Sequence, residues 1–310
     1  MIEPERKLEG VVPVIVTPFT TDEDVDEPAL CRLVDFAASC RVSAICLPAY
    51  ASEFYKLSDV ERARVVRIAA QRAAGRLLII GQSNHGSAVN ALRMARENVA
   101  AGADLVSVAI PRQFALSDDE LLGYLCRVLN GISVPCLVQD FNPGGPTVSV
   151  EFVRRLHAAC PNFKYLKIEE PLAASKIERM LDATGGGVGI LEGWGGLYML
   201  ELVPAGICGL MPGLAMADLL QRIFELRRGG DAAQAFHLFE RVLSHIGFSL
   251  QNIELFIYCE KRLLQARGLL SNAVCRAPCY RPDALTERYI KELEERVIPL
   301  LGPKDGLASL

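Results

Sequence analysis

No apolar run in this sequence is long enough to cross a bilayer without meeting charge or glycine, which argues against an ordinary membrane-spanning helix. The opening stretch, Met1 to Gly10, is charged and lacks the apolar centre of a signal peptide. An excess of positive charge is missing too. The formal net charge is -4, which gives no general attraction to nucleic acid or to an anionic membrane. Cysteine is present at 10 residues, but paired spacing is scarce. Most cysteines fall inside apolar segments, as Cys46, Cys136 and Cys208 do, and read as buried reduced thiols. Cys275-Arg-Ala-Pro-Cys279 has the spacing of a metal clip, yet no second Cys or His pair stands near it. No His/Asp/Glu arrangement has clear metal spacing, and no P-loop or nucleotide fingerprint is found. Low-complexity tracts, linkers and short-period repeats are also absent. The expectation is a cytoplasmic protein with no metal, no nucleic acid and no membrane among its partners.

What is present is an alternation. The chain has 310 residues, 51% hydrophobic and 23% charged, ample material for a core. Short β-like runs occur at Val11–Thr17, Ala44–Pro48, Leu77–Gly81, Leu105–Ile110, Pro135–Asp140, Phe163–Ile168, Val188–Leu191 and Cys208–Met211. Segments of helical period separate them, such as Asp59–Ala74 and Ser87–Ala101, with Gly75 and Gly102 after their ends. About eight β-α units in series predict a closed (β/α)8 TIM barrel. An open doubly wound sheet would more often carry a Gly-rich turn after its first strand. Val16-Thr17-Pro18-Phe19 stands there instead. From about Asp231 the strands stop, and Asp231–Ser249, Asn252–Gly268 and Pro282–Leu301 read as helices. The expected division is therefore a barrel over 1–230 and a C-terminal helical extension over 231–310, packed on the barrel.

Lys167 lies near the end of the sixth run, in Phe163-Lys164-Tyr165-Leu166-Lys167-Ile168-Glu169. A lysine there is costly to desolvate, so it is either paired or used for chemistry. Desolvation disfavours the ammonium form and frees the amine to attack a ketone. The resulting Schiff base is an electron sink beside the substrate's C2. Period-2 alternation puts Phe163, Tyr165, Lys167 and Glu169 on one face, and Lys164, Leu166 and Ile168 on the other. Tyr165 would then lie one layer below Lys167. The bland alternative is a lysine ion-paired with Glu169 or Glu170 at the rim.

Several segments together resemble the dihydrodipicolinate synthase / N-acetylneuraminate lyase family of Schiff-base barrels. They are Gly10-Val-Val-Pro-Val-Ile-Val-Thr-Pro-Phe19, Leu57-Ser58-Asp59-Val-Glu-Arg62, Ala101-Gly102-Ala103-Asp104 and Tyr165-Leu-Lys167-Ile-Glu169. The likeness runs from about Gly10 to the C-terminal helices. It implies that Lys167 forms the Schiff base, that no separate cofactor is needed, and that the chain forms a homo-oligomer, a tetramer or dimer. The departures are as informative. The family's Gly-Thr-Thr-Gly-Glu becomes Ala49-Tyr50-Ala51-Ser52-Glu53, so the threonine pair is gone. Gln139 stands on the family's catalytic tyrosine, and a carboxamide does not titrate. In Val138-Gln139-Asp140-Phe141-Asn142-Pro143-Gly144-Gly145, Gly145 or a neighbour falls where the synthases place an arginine. Pro111-Arg112-Gln113-Phe114 replaces the paired tyrosine segment after the fourth strand. Ser52-Glu53-Phe54, Val138-Gln139-Asp140, Tyr165-Leu-Lys167-Ile-Glu169 and Gly206–Gly213 resemble the branch that includes the 2-keto-3-deoxy-L-arabonate dehydratases.

The candidate catalytic residues are Lys167, Gln139, Glu53 and Tyr50. Glu53 would hold Tyr50 or a backbone amide in place, or serve as a base. Tyr50 would offer a phenol in place of the missing one, or simply pack. The candidate substrate-binding residues are Ala51, Ser52, Gly193, Trp194, Gly195, Met211 and Pro212. In Glu192-Gly193-Trp194-Gly195-Gly196 the glycines would allow close approach to a polyol, and Trp194, the only tryptophan, would wall the pocket or merely pack. His85, after the third strand, would contact substrate or simply stand on a surface loop. The expected activity is a lyase acting on a small 2-keto acid, foremost a dehydratase of a 2-keto-3-deoxy sugar acid. The alternatives are a pyruvate-dependent aldolase or synthase, and a barrel that binds a keto acid without catalysis.

Overall fold

The computed structural model describes residues 7–142 and 145–302. Pro143 and Gly144 in the loop after the fifth strand, residues 1–6 of the charged opening, and 303–310 of the expected extension lie outside the described residues. Eight strands alternate with helices: β1 Gly10–Val11, α1 Glu27–Ser39, β2 Ala44–Leu47, α2 Asp59–Ala73, β3 Leu78–Gln82, α3 Ala88–Ala100, β4 Leu105–Ala109 and α4 Asp118–Leu129. There follow β5 Cys136–Asp140, α5 Val150–Ala159, β6 Phe163–Ile168, α6 Ala174–Ala183, β7 Gly189–Glu192, α7 Met199–Leu202, β8 Gly209–Leu210 and α8 Ala217–Arg228. Three further helices end the described chain: α9 Ala232–Ser249, α10 Ile253–Ala266 and α11 Ala284–Val297.

All ladders are parallel, in the order β1-β8-β7-β6-β5-β4-β3-β2. Val14 closes the barrel by bridging Cys46 on one side and Gly213 on the other. This is the expected TIM barrel, with a shorter first strand than the sequence suggests. Pro13 has no N–H, so one of the donors that would face β2 is missing. Closure rests on isolated bonds instead: Ile15 N–H donates to the Cys46 carbonyl (3.0 Å) and Cys46 N–H to the Pro13 carbonyl (3.0 Å).

Side-chain alternation divides the apolar core into two layers. Val12, Val14, Ala44, Cys46, Ile80, Leu105, Leu137, Tyr165, Leu191 and Met211 fill the barrel interior. Leu166, Ile168 and Ile190 point outward to the helices. Phe163 departs from the expected face and packs in this outer layer. The reason is local. The β5–β6 register steps from Phe163 to Tyr165 across Cys136/Leu137, which resets the alternation at the start of β6.

The helix start read at Ser58 is a capping box, with Glu61 N–H on the Ser58 hydroxyl (3.3 Å) and Ser58 N–H on the Glu61 carboxylate (2.8 Å). The outer core continues without a break into α9 and α10, through Leu238, Phe239, Val242, Ile246, Leu263 and Leu264. None of the described helices is long and apolar enough to cross a membrane. All ten cysteines are free thiols, Cys275 and Cys279 included. Among the described residues, no group of three or more His, Cys, Asp or Glu is placed to hold a metal ion.

Candidate active site

β5, β6 and β7 run in register, so Gln139, Lys167 and Leu191 sit side by side at the carboxyl ends of their strands. Lys167 faces inward on the same side as Tyr165. The Tyr165 hydroxyl accepts from Leu8 N–H (3.1 Å) deeper in the barrel, as the alternation of β6 predicts. The Lys167 Nζ lies 3.1 Å from Glu169 Oε1, and both side chains are nearly buried, at 9% and 5% exposure. Glu170, the other carboxylate weighed at the rim, is engaged elsewhere. It pairs with Lys176 (2.6 Å) and accepts from Thr147.

Gln139 Nε2 donates to the same Glu169 Oε1 at 2.8 Å. Its own Oε1 accepts from Gln82 Nε2 at 2.6 Å. Burial pushes the Glu169 carboxyl above the usual range, against the pull of Lys167 and of the Gln139 N–H. Asp140, the third residue of the Val-Gln-Asp run, does not enter the cavity. It is fully buried, accepts Val148 N–H (2.6 Å) and is held by a forked pair from Arg112 (2.8 Å).

A cavity with about 630 Å3 of empty space, mouth included, opens over this pair. Its wall carries Tyr50, Ala51, Gln139, Lys167, Gly193, Trp194, Gly195, Met211 and Pro212, so all but two of the candidate residues meet in one place. Three aromatic rings form an arc at the rim. Tyr50 and Phe141 have centroids 5.5 Å apart, and Phe141 and Trp194 6.0 Å. Burial, and secondarily the Glu169 charge, push the Tyr50 phenol upward, so it stays protonated as a donor.

Gly193 lines the cavity, and a packing requirement adds to the approach expected of it. A Cβ built there falls 2.4 Å from Glu169 Cγ and 2.6 Å from Lys167 Cε. The missing side chain makes room for the lysine and the carboxylate themselves.

Ser52 and Glu53 do not line the cavity. The Ser52 hydroxyl donates to the Ile15 carbonyl (2.5 Å) and accepts Ala49 N–H (2.9 Å), closing the turn that carries Tyr50 and Ala51. Glu53 follows in the left-handed region (φ 58°), fully buried. Its carboxylate is held by Lys261 (2.5 Å), Lys56 (3.1 Å) and Arg276 N–H (3.1 Å). Of the roles weighed for it, holding a backbone amide fits this placement, and the amide is that of Arg276. His85 is exposed and lines a separate recess.

Sequence reading passed over Glu169 as a working group, though its two-residue spacing from Lys167 placed it on the same face. Phe141 stands in the same relation to Gln139. Leu250, Asn252, Ile253 and Phe256 also line the cavity, and nothing near them in sequence signals this. They arrive from the junction of α9 and α10.

Fold and site together define a (β/α)8-barrel enzyme with its pocket at the carboxyl ends of the strands. More narrowly, residues 7–296 match the dihydrodipicolinate synthetase family, and the chain belongs to that family of lyases. It is 27% identical to an L-2-keto-3-deoxyarabonate dehydratase of Azospirillum brasilense, over 94% of this chain and 95% of the relative. A 4-hydroxy-tetrahydrodipicolinate synthase of Chlorobium luteolum is 28% identical over 61% of this chain and 64% of its own length. Among solved structures, dihydrodipicolinate synthase from Rhodopseudomonas palustris superposes with a TM-score of 0.87. It has 25% identity, covering 93% of this chain and 97% of that one.

Proposed function

We propose that this protein is a Schiff-base lyase acting on a 2-keto-3-deoxy sugar acid, removing water across C3 and C4. The observation that carries the proposal is the Lys167 Nζ, 3.1 Å from Glu169 Oε1, both nearly buried at the base of the cavity. Lys167 attacks the C2 ketone, and the carbinolamine loses water to an iminium. The iminium acidifies C3–H. Glu169 takes that proton, and the electron pair moves into an enamine. The enamine then expels the C4 hydroxyl, which leaves as water with the proton returned from Glu169. A carboxyl raised by burial suits this exchange, because a weaker acid is a better acceptor of the C3 proton. Gln139 orients the carboxylate. Tyr50 donates a hydrogen bond to the polyol or to the departing hydroxyl.

The substrate's carboxylate fits the turn Tyr50–Ser52. A helical turn leaves its first N–H groups without internal partners, and Ala51 lines the cavity. The aromatic arc suits the carbon faces of a sugar acid. The similarity to the Azospirillum dehydratase over nearly the full length supports the same reading. Lys167 is the one cation among the described lining residues. A second substrate carboxylate would therefore meet no second cation among them. Gly145 offers no charge, and Arg112 is committed to Asp140.

Incubation with pyruvate and borohydride should leave one reduced adduct per subunit, on Lys167. Lys167→Ala should abolish both adduct and turnover. Glu169→Gln should keep the adduct and lose dehydration by on the order of a hundredfold or more. Dehydration of a five- or six-carbon 2-keto-3-deoxy acid should far exceed condensation of pyruvate with aspartate semialdehyde. An adduct on Lys164 or Lys176, or a vigorous condensation rate, would overturn the proposal.

A further inference from the structure

We infer that Gln82 is a positioning residue for this chemistry, fixing the Gln139 amide so that its N–H rather than its oxygen faces Glu169. The inference rests on the proposed roles of Lys167 and Glu169. Gln82 ends β3, is 5% exposed and does not line the cavity. It meets the site through its hydrogen bond to Gln139.

The chain of contacts has a direction. An ionised carboxylate only accepts, so Gln139 must turn its NH2 toward Glu169. Its carbonyl then faces away and needs a donor, which Gln82 Nε2 supplies at 2.6 Å. The Gln82 carbonyl in turn faces the Cys46 thiol, 3.9 Å away. That thiol is buried and stays protonated, as a weak donor should. Both ends of the chain therefore favour one orientation of both amides. Without Gln82, a flipped Gln139 would set its carbonyl against the carboxylate. Glu169 would lose a stabilising N–H and hold its proton to higher pH. The other charged or titratable groups facing Glu169 are Lys167 on its own strand, Asp140 at the end of β5, Tyr50 from the turn after β2 and Glu192 on β7. None of these changes when Gln82 is replaced.

The test uses pyruvate alone, as borohydride trapping on Lys167 and as deuterium uptake into its methyl group in heavy water. Uptake reports C3 deprotonation without the natural substrate. Gln82→Met should trap like the wild type, exchange about tenfold more slowly, and show its acid limb at higher pH. Gln82→Met combined with Gln139→Met should be no slower than Gln139→Met alone, because the two act as one unit. Gln82→Glu supplies a second reading. Its protonated carboxyl donates like the amide, and its ionised form only accepts, so exchange should acquire a new falling limb as pH rises. Trapping with unchanged exchange and unchanged limbs, or additive losses in the double variant, would overturn the role of Gln82 alone. Absence of trapping in the wild type would overturn the functional reading and this role with it.

Discussion

Gly193 governs the room available to Lys167 and Glu169. Because its Cβ site lies 2.4 Å from Glu169 Cγ and 2.6 Å from Lys167 Cε, Gly193→Ala must displace one or both. Both neighbours are side chains, so the fold should survive at an overpacking cost of about 1–3 kcal/mol. Turnover should fall at least about tenfold, because the amine and the carboxylate leave their working geometry. Steady-state kinetics beside a thermal melt would separate the two effects, and unchanged kcat would show that the close approach is unimportant. At this scale the sequence was informative where spacing carried the signal. Lys167 was legible from its place at a strand end, and Glu169 could have been read from the same alternation. Glu53 was not legible as an anchor. Its partners Lys261 and Arg276 lie more than two hundred residues away.

Between elements, the turn after β2 and the helix α10 depend on one another. Lys261 on α10 is 1% exposed, pairs with Glu53, donates to the Val274 carbonyl (2.8 Å) and sits 4.4 Å from the Phe19 ring centroid. Arg276 reaches the same ring (4.4 Å) and clasps Glu61 at the start of α2. Removing one partner of a buried pair leaves the other uncompensated. Lys261→Met should therefore cost about 3 kcal/mol, the lower end of the usual range, because Lys56 and Arg276 N–H still hold Glu53. Denaturant unfolding measures this. A loosened Tyr50–Ser52 turn should also raise KM more than it lowers kcat. A loss well below 1 kcal/mol would mean that the pair contributes little. Element existence and order were legible throughout, since β6 is found at Phe163–Ile168 as its apolar run predicts. The ends differ where a backbone donor is missing, as at Pro13, or where register shifts, as at Cys136.

Across the whole molecule, buried titratable groups tie stability to pH. Burial pushes the Glu192 and Glu260 carboxyls up to about 7. Burial pushes the His245 imidazole down to about 4. A raised carboxyl contributes stability that is complete below its unfolded value, about 4.5, and is lost as pH rises through about 7. His245 acts oppositely, with stability complete above about 6.5 and lost as pH falls through about 4. The falling contributions of Glu192 and Glu260, joined by that of Glu169, outweigh the rising one and predict a net decline in Tm from about pH 5 to about pH 8. Glu260 accepts Ala215 N–H at 2.6 Å, and an amide oxygen can keep that bond. Glu260→Gln should therefore flatten the decline without unfolding the protein. Melts across this range in the wild type and the variant check it, and parallel curves would exclude Glu260 as a source.

The sequence by itself determined the barrel, the lysine, and the aromatic and glycine residues that gather around it. These are matters of period and of strand ends, and strand ends of a parallel barrel converge on one face by geometry alone. Tertiary structure alone decided that Ser52 and Glu53 turn away from the cavity. It also brought Leu250, Asn252, Ile253 and Phe256 into the wall, and joined Gln82 to Gln139 across two neighbouring ladders. Such contacts depend on how far apart helices and strands come to rest once the core is packed. Residues distant in the chain then share a dry space in which each polar atom must find a partner.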